Sequence, residues 1–397
     1  GGLSTASVEE AVGCVLGAVE IFRLHGPFSD GIALLEQVEA DLHQPVGLTS
    51  HGRLTLNRAL LLELSGRPAD ASSHYNQALA IFEEIGDRRS SAQIFVRLAS
   101  LAQHRGKTIE ALKYLRDALG IVREVRDRRS EGILLGNLAN VFRNQGAHAD
   151  ALTHQEQALS IAQEVGDRRY EGVIHGNMAN VHQDKGRLEQ AQQHFLNAVS
   201  IAQEVGDRRG ESIILGNLAL LYASRGLFEE AWTNFEKSLA ISREVGNRRG
   251  EGATLGNLGD LMVRRGETLR AERYLRDAVA ICDENFSMAA GAFRGSLALI
   301  CAQQGQVQEA LAMLEVGEGQ LRGAREVEFG KFLCKKTRVE CLGADVEAAA
   351  RSLQEAEAIW ERLGGSPNSD LSMAIGETRQ WLVAHAITIP VSSEPAS

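Results

Sequence analysis

Proline is missing from the middle of this chain: its six copies stand at 27, 45, 68, 367, 390 and 395, with none between Pro68 and Pro367. A helix interior excludes proline, because the ring removes a backbone donor and clashes with the preceding turn at a cost of about 3 kcal/mol. Aromatics are few, at 5%, and β-branched alternation is rare, which argues against sheet. No run of about 18 apolar residues exists, so no helix is expected to cross a membrane. Five cysteines, at 14, 282, 301, 334 and 341, form no CxxC pair. Their odd, scattered count reads as free thiols in a reducing compartment, the cytoplasm. Cations are outnumbered, 42 Lys and Arg against 52 Asp and Glu for a formal charge of −10, so a nucleic-acid surface built on clustered cations is not expected. No HExxH, Walker A, GxSxG or kinase signature occurs. The chain therefore reads as a non-enzyme with no cofactor and no metal.

What is present is glycine, 40 copies in 397 residues, and it recurs in register. Gly86-Asp87-Arg88-Arg89 returns as Arg126-Asp127-Arg128-Arg129, Gly166-Asp167-Arg168-Arg169, Gly206-Asp207-Arg208-Arg209 and Gly246-Asn247-Arg248-Arg249, every 40 residues. Gly136-Asn137-Leu138-Ala139 keeps the same step at Gly176, Gly216 and Gly256, and a lone glycine does so at 66, 106, 146, 186, 226 and 266. Three landmarks in step define a repeat architecture. Each unit resolves into two helices, for example from about Arg168 to Lys185 and from about Leu188 to Val205. Gly166 is suited to close one helix and Asp167 to cap the next. Ile174, Met178 and Val181 make one apolar stripe, and alanines recur where helices cross, as in Ala139, Ala151 and Ala158. One hairpin cannot bury both its faces, so neighbouring units must cover it.

The pattern Asn137-Leu138-Ala139, Phe142, Gly146, Ala151, Ala158 resembles the tetratricopeptide repeat (TPR). In its 40-residue form it is similar to the repeats of the Pins/LGN polarity adaptors, of kinesin light chains and of bacterial signalling proteins. The resemblance implies an all-α fold, a right-handed α-solenoid of about eight to nine antiparallel helix pairs and a C-terminal cap helix. The expected organisation is a degenerate N-terminal pair at 1–50, a regular array at 51–285, degenerate repeats at 286–363, a cap helix at 364–387 and a disordered tail at 388–397.

The first helix of each pair, here called the A helix, is expected to line a concave groove. The resemblance turns one asparagine per unit toward it, giving the ladder Asn57, Arg97, Asn137, Asn177, Asn217, Asn257 and Ser296. Asn140 and Asn180 stand three residues on, on the same helix face. A carboxamide both donates and accepts, so it can satisfy a peptide N–H and C=O together. Neighbouring helices lie about 8–10 Å apart and an extended peptide rises about 3.3 Å per residue, so one asparagine meets the ligand roughly every third residue. Ile133, Val173, Ile213 and Ala253 lie four residues earlier and point to an apolar ligand preference, while Gly136, Gly176, Gly216 and Gly256 leave space beside the ladder. Asparagines near a helix junction also suit bonding between repeats. The Arg-Arg pairs read as local partners of Glu164, Glu171, Glu204, Glu211, Glu244 and Glu251 rather than as a basic edge. His182 and Cys301 occupy the bulky core slot of Phe142 and Tyr222.

The expected function is a protein–protein interaction scaffold with a peptide or protein partner in the groove, and neither nucleic acid nor membrane as partner. Two other roles fit the same fold: a regulatory region acting in cis within a larger bacterial signalling protein, and a self-assembly scaffold. The start at Gly1-Gly2 without Met suits a piece of a longer chain, with signalling domains covalently attached.

Overall fold

A computed structural model describes residues 5–41, 47–322, 326–365 and 369–388. Within them every regular element is a helix, nineteen in all, forming nine antiparallel pairs and a final single helix. The expected tail lies outside the described residues except for its first member. The chain divides into two compact units, Gly1–His194 and Phe195–Ser397.

The N-terminal unit holds α1 (Thr5–His25), α2 (Phe28–Asp41), α3 (Leu48–Leu64), α4 (Pro68–Glu84), α5 (Arg88–His104), α6 (Thr108–Glu124), α7 (Arg128–Asn144), α8 (His148–Glu164), α9 (Arg168–Asp184) and the start of α10 (Leu188–Glu204). Its regular helices are each 17 residues long because the turn chemistry repeats. Gly86 adopts φ +73°. Its N–H and that of Asp87 then bond back to the carbonyls of Glu83 and Phe82, at 3.2 and 2.8 Å, which closes α4 in a Schellman turn. Asp87 at once caps α5, accepting from the Ser90 N–H at 3.1 Å. Asp127 and Asp167 do the same for α7 and α9. Arg126 takes the glycine's place in one turn, at φ 55°.

The expected alanines are the crossing points. Ala99, Ala111, Ala118, Ala139, Ala151, Ala158, Ala179 and Ala191 are at most 1% exposed, so the backbones approach closely. Tyr75, Phe82, Leu98, Leu115 and Leu135 fill the remaining core, each worth about 1.5–3 kcal/mol of burial.

The C-terminal unit continues with α11 (Arg208–Ser224), α12 (Phe228–Glu244), α13 (Arg248–Arg264), α14 (Thr268–Asn285), α15 (Ser287–Gln303), α16 (Val307–Leu321), α17 (Glu326–Leu342), α18 (Val346–Arg362) and α19 (Asp370–Ala384). Phe235, Met262, Leu275, Cys301 and Phe332 are in its core, each at most 1% exposed. The helix α19 buries Leu371, Ile375 and Leu382 and leaves Met373 and Val383 in water.

Candidate peptide-binding face

In the N-terminal unit the A helices α5 and α7 turn three of the expected residues toward one cavity. Arg97, Asn137 and Asn140 line it together with Leu56, Gln93 and Ser100, and its volume is about 590 Å³. Arg97 is exposed and the two asparagines are half-buried. Among the described residues the carboxamides of Asn137, Asn140, Asn177 and Asn180 form no protein hydrogen bond, and the Arg97 guanidinium forms no ion pair. These polar ends stay available because their helix neighbours Leu138 and Ala139 take the core side. Ile133 and Val173 stand 39% and 46% exposed, each on the helix of its ladder asparagine.

In the C-terminal unit, Asn217 and Asn257 are likewise half-buried and without a protein hydrogen bond among the described residues. Ile213 is 53% exposed. The ladder stops sooner than its spacing implies. Ser296 is 4% exposed, donates to Asp260 at 2.6 Å and accepts from Lys335 Nζ at 2.5 Å, so it belongs to a polar clasp between repeats. Asn57 spends its amide on the Arg53 carbonyl, at 2.8 Å.

The glycines beside the ladder do not all leave space. A Cβ on Gly136 would lie 2.1 Å from the Tyr170 hydroxyl, and one on Gly256 would lie 2.1 Å from the Phe293 ring. Both notches are filled by an aromatic from the following repeat. Gly216 has only the Ser238 hydroxyl near it, at 3.6 Å.

Sequence reasoning missed Arg23, which reaches the cavity from α1 and is bonded to Glu20 at 2.7 Å. The pair α1–α2 carries none of the repeat landmarks, so nothing in its sequence signalled this. Gln93 and Ser100 could have been found, since they lie four before and three after Arg97 on one helix face.

The arginine pairs are engaged locally. Arg128 bonds Glu131 and Glu164, each at 2.5 Å; Arg208 bonds Glu211 at 2.5 Å and Glu244 at 2.6 Å; Arg248 bonds Glu251 at 2.7 Å. The second arginine of two pairs is also held, Arg129 by Asp167 at 2.8 Å and Arg249 over the Phe286 ring at 4.0 Å. Exposed pairs of this kind stabilise little singly, but they occupy the first arginine of each of these pairs with a local carboxylate. Burial pushes the thiols of Cys282, Cys334 and Cys341 up to about 11, which keeps them protonated and poor nucleophiles. Among the described residues no group of three His, Cys, Asp or Glu is placed to hold a metal ion.

A histidine cluster sits beside the ladder on α9 and α10. His175 Nδ1 meets His194 Nδ1 at 3.0 Å, and His182 stacks on His194 with centroids 5.2 Å apart. His182 is buried, in the slot expected of it. One Nδ1 of the close pair donates and the other accepts, so the two rings cannot both be charged. Burial, and then the charges that His175 and His182 would carry, push His194 down to about 4; burial also lowers His175 and His182. The unfolded chain titrates its histidines near 6.5. Lowered values favour the unfolded state in acid, so this contribution is complete above about pH 6.5 and lost as pH falls toward 4. The urea midpoint is expected to drop between pH 7 and 5, above the ordinary carboxylate range. His194→Phe should remove most of that drop, and an unchanged slope would contradict the assignment.

A family profile described as tetratricopeptide repeat matches residues 50–124, 90–164, 170–231 and 212–284. No curated protein matches the chain. Among solved structures, a Rap protein complexed with competence and sporulation factor is 16% identical, with a TM-score of 0.61, covering 90% of this chain and 99% of that one. The Rap conjugation gene regulator of plasmid pLS20, in complex with the Phr* peptide, is 12% identical, with a TM-score of 0.58 over 90% and 97% of the two chains. The apo quorum sensor NprR from B. thuringiensis is 14% identical, with a TM-score of 0.54 over 89% and 99%. At these identities the likeness is one of fold.

Proposed function

The chain belongs to the tetratricopeptide repeat family, and we propose that it is a non-enzymatic scaffold that holds an extended peptide or protein segment on its A helices. One observation carries the reading: Arg97, Asn137 and Asn140 converge on a single cavity, and among the described residues no protein group engages their polar ends in a hydrogen bond or ion pair. Such groups serve a ligand that brings its own donors and acceptors, and a peptide main chain brings one of each per residue. The exposed Ile133 and Val173 add apolar contact on the same face. A protein of the same fold is solved with the Phr* peptide, which supports a peptide as the ligand class. The partner is held by contact alone, with no cofactor and no bond made or broken.

A photo-crosslinking residue tests the location. Introduced in place of Ile133 or Val173, it should capture peptides selected from a displayed random dodecapeptide library. In place of Thr153, exposed on α8, the second helix of its pair, it should not. Equal capture from position 153 would sink the reading.

A further inference from the structure

Beside the large cavity, the helices α5, α6 and α7 leave a second recess of about 140 Å³. Ala92, Val96, Ile121, Val122, Ile133 and Leu134 give it an apolar lining. Gln93 and Val96 line both recesses, so a chain lying along Arg97 and Asn137 passes its mouth. The two charged side chains on the lining, Arg89 and Asp127, are of opposite sign and act on each other.

One repeat further on, the equivalent place is occupied. Tyr170 stands where Ser130 stands here, and Gly136 stands where Val96 stands, each 40 residues along. The Tyr170 ring reaches over Gly136, and its hydroxyl lies 3.4 Å from the carbonyls of Gly132 and Ile133, to which it donates. Ser130 is too short to do this, and its hydroxyl turns to Asp127 at 2.8 Å. The chain thus fills this kind of recess with its own side chain in one repeat and leaves it open in the one before. Apolar walls without a partner forgo dispersion contacts that a guest would restore.

Resting on the peptide-binding reading above, we propose that this recess takes one aliphatic side chain of the bound segment, of the size of Leu, Ile or Met. Size and floor select that class. The recess matches about four to five waters at roughly 30 Å³ each, close to one four-carbon side chain. A ring seated as deeply as Tyr170 would strike the Val96 isopropyl group, because only a glycine leaves room for it at position 136. The rim charges offset each other and favour neither a cation nor an anion.

The test uses peptides selected from the same dodecapeptide library on the wild-type chain, which should share one aliphatic position. The double variant Val96→Gly/Ser130→Tyr copies the natural Gly136–Tyr170 pair and plugs the recess. It should weaken those peptides about ten- to a hundredfold, the range expected for one buried aliphatic side chain, and abolish the preference at that position. Val96→Gly alone should shift the selected residue from Leu, Ile or Met toward Phe or Tyr. Ser130→Leu, a milder plug, serves if the double variant does not fold. Unchanged affinity in a folded plugged variant, with binding still lost on Asn137→Ala, would overturn the recess and leave the groove standing. Failure of the wild-type chain to enrich any peptide would overturn both.

Discussion

Gly291→Val is expected to destabilise the C-terminal unit by at least about 3 kcal/mol, the upper part of the range for overpacked cores. The helices α15 and α16 cross where Gly291 meets Gly317. A Cβ on Gly291 would lie 2.7 Å from the Gly317 carbonyl oxygen, and one on Gly317 would lie 3.1 Å from the Gly291 oxygen. Backbone cannot swing aside as a flexible side chain can, so relief requires the helices to part and uncover Leu321 and Phe332, both at most 2% exposed. Gly319, two residues from Gly317, has nothing within 4 Å of its Cβ position. Gly319→Ala should therefore stabilise by up to about 1 kcal/mol through helix propensity alone. Chemical denaturation followed by circular dichroism separates the two, and destabilisation of similar size in both would refute the close-crossing account. The same crossing explains Gly317 in the Gly317-Glu318-Gly319 run, which lacks the spacing of a nucleotide-binding loop, but not Gly319.

The double variant Asn137→Ala/Asn177→Ala is expected to weaken selected peptides by about 2–6 kcal/mol, at least roughly thirtyfold. Each carboxamide can form two hydrogen bonds to a ligand main chain, each worth about 0.5–1.5 kcal/mol net. Neither residue bonds the protein among the described residues, so their removal costs no internal hydrogen bond, and both helices keep their apolar faces. The melting temperature should stay within a few degrees of wild type. Retained affinity in the folded variant would remove these asparagines from the binding mechanism, while a collapsed melting temperature would mean that they hold the repeats together.

Much of this was legible in the sequence because a 40-residue step is visible without coordinates. The turn glycines, the Asp87, Asp127 and Asp167 caps and the small alanines at crossings follow from the periodicity, while the expectation for Ile133 and Val173 comes with the family resemblance. What escaped it depends on contacts between repeats. Gly136 promises space when read alone, and only the following Tyr170 fills it. Ser296 continues the ladder by position, yet Asp260 and Lys335 enclose it in a clasp specific to that junction. Arg23 reaches the cavity from a helix outside the repeat register.

The most direct test of main-chain capture is a titration of one selected peptide against the wild-type chain, repeated with a single backbone N-methyl group moved along it. Loss of binding should recur about every third residue, the spacing at which an extended strand meets successive helices, with near-native affinity between. Uniform tolerance of N-methylation, with affinity governed by side chains alone, would contradict the account.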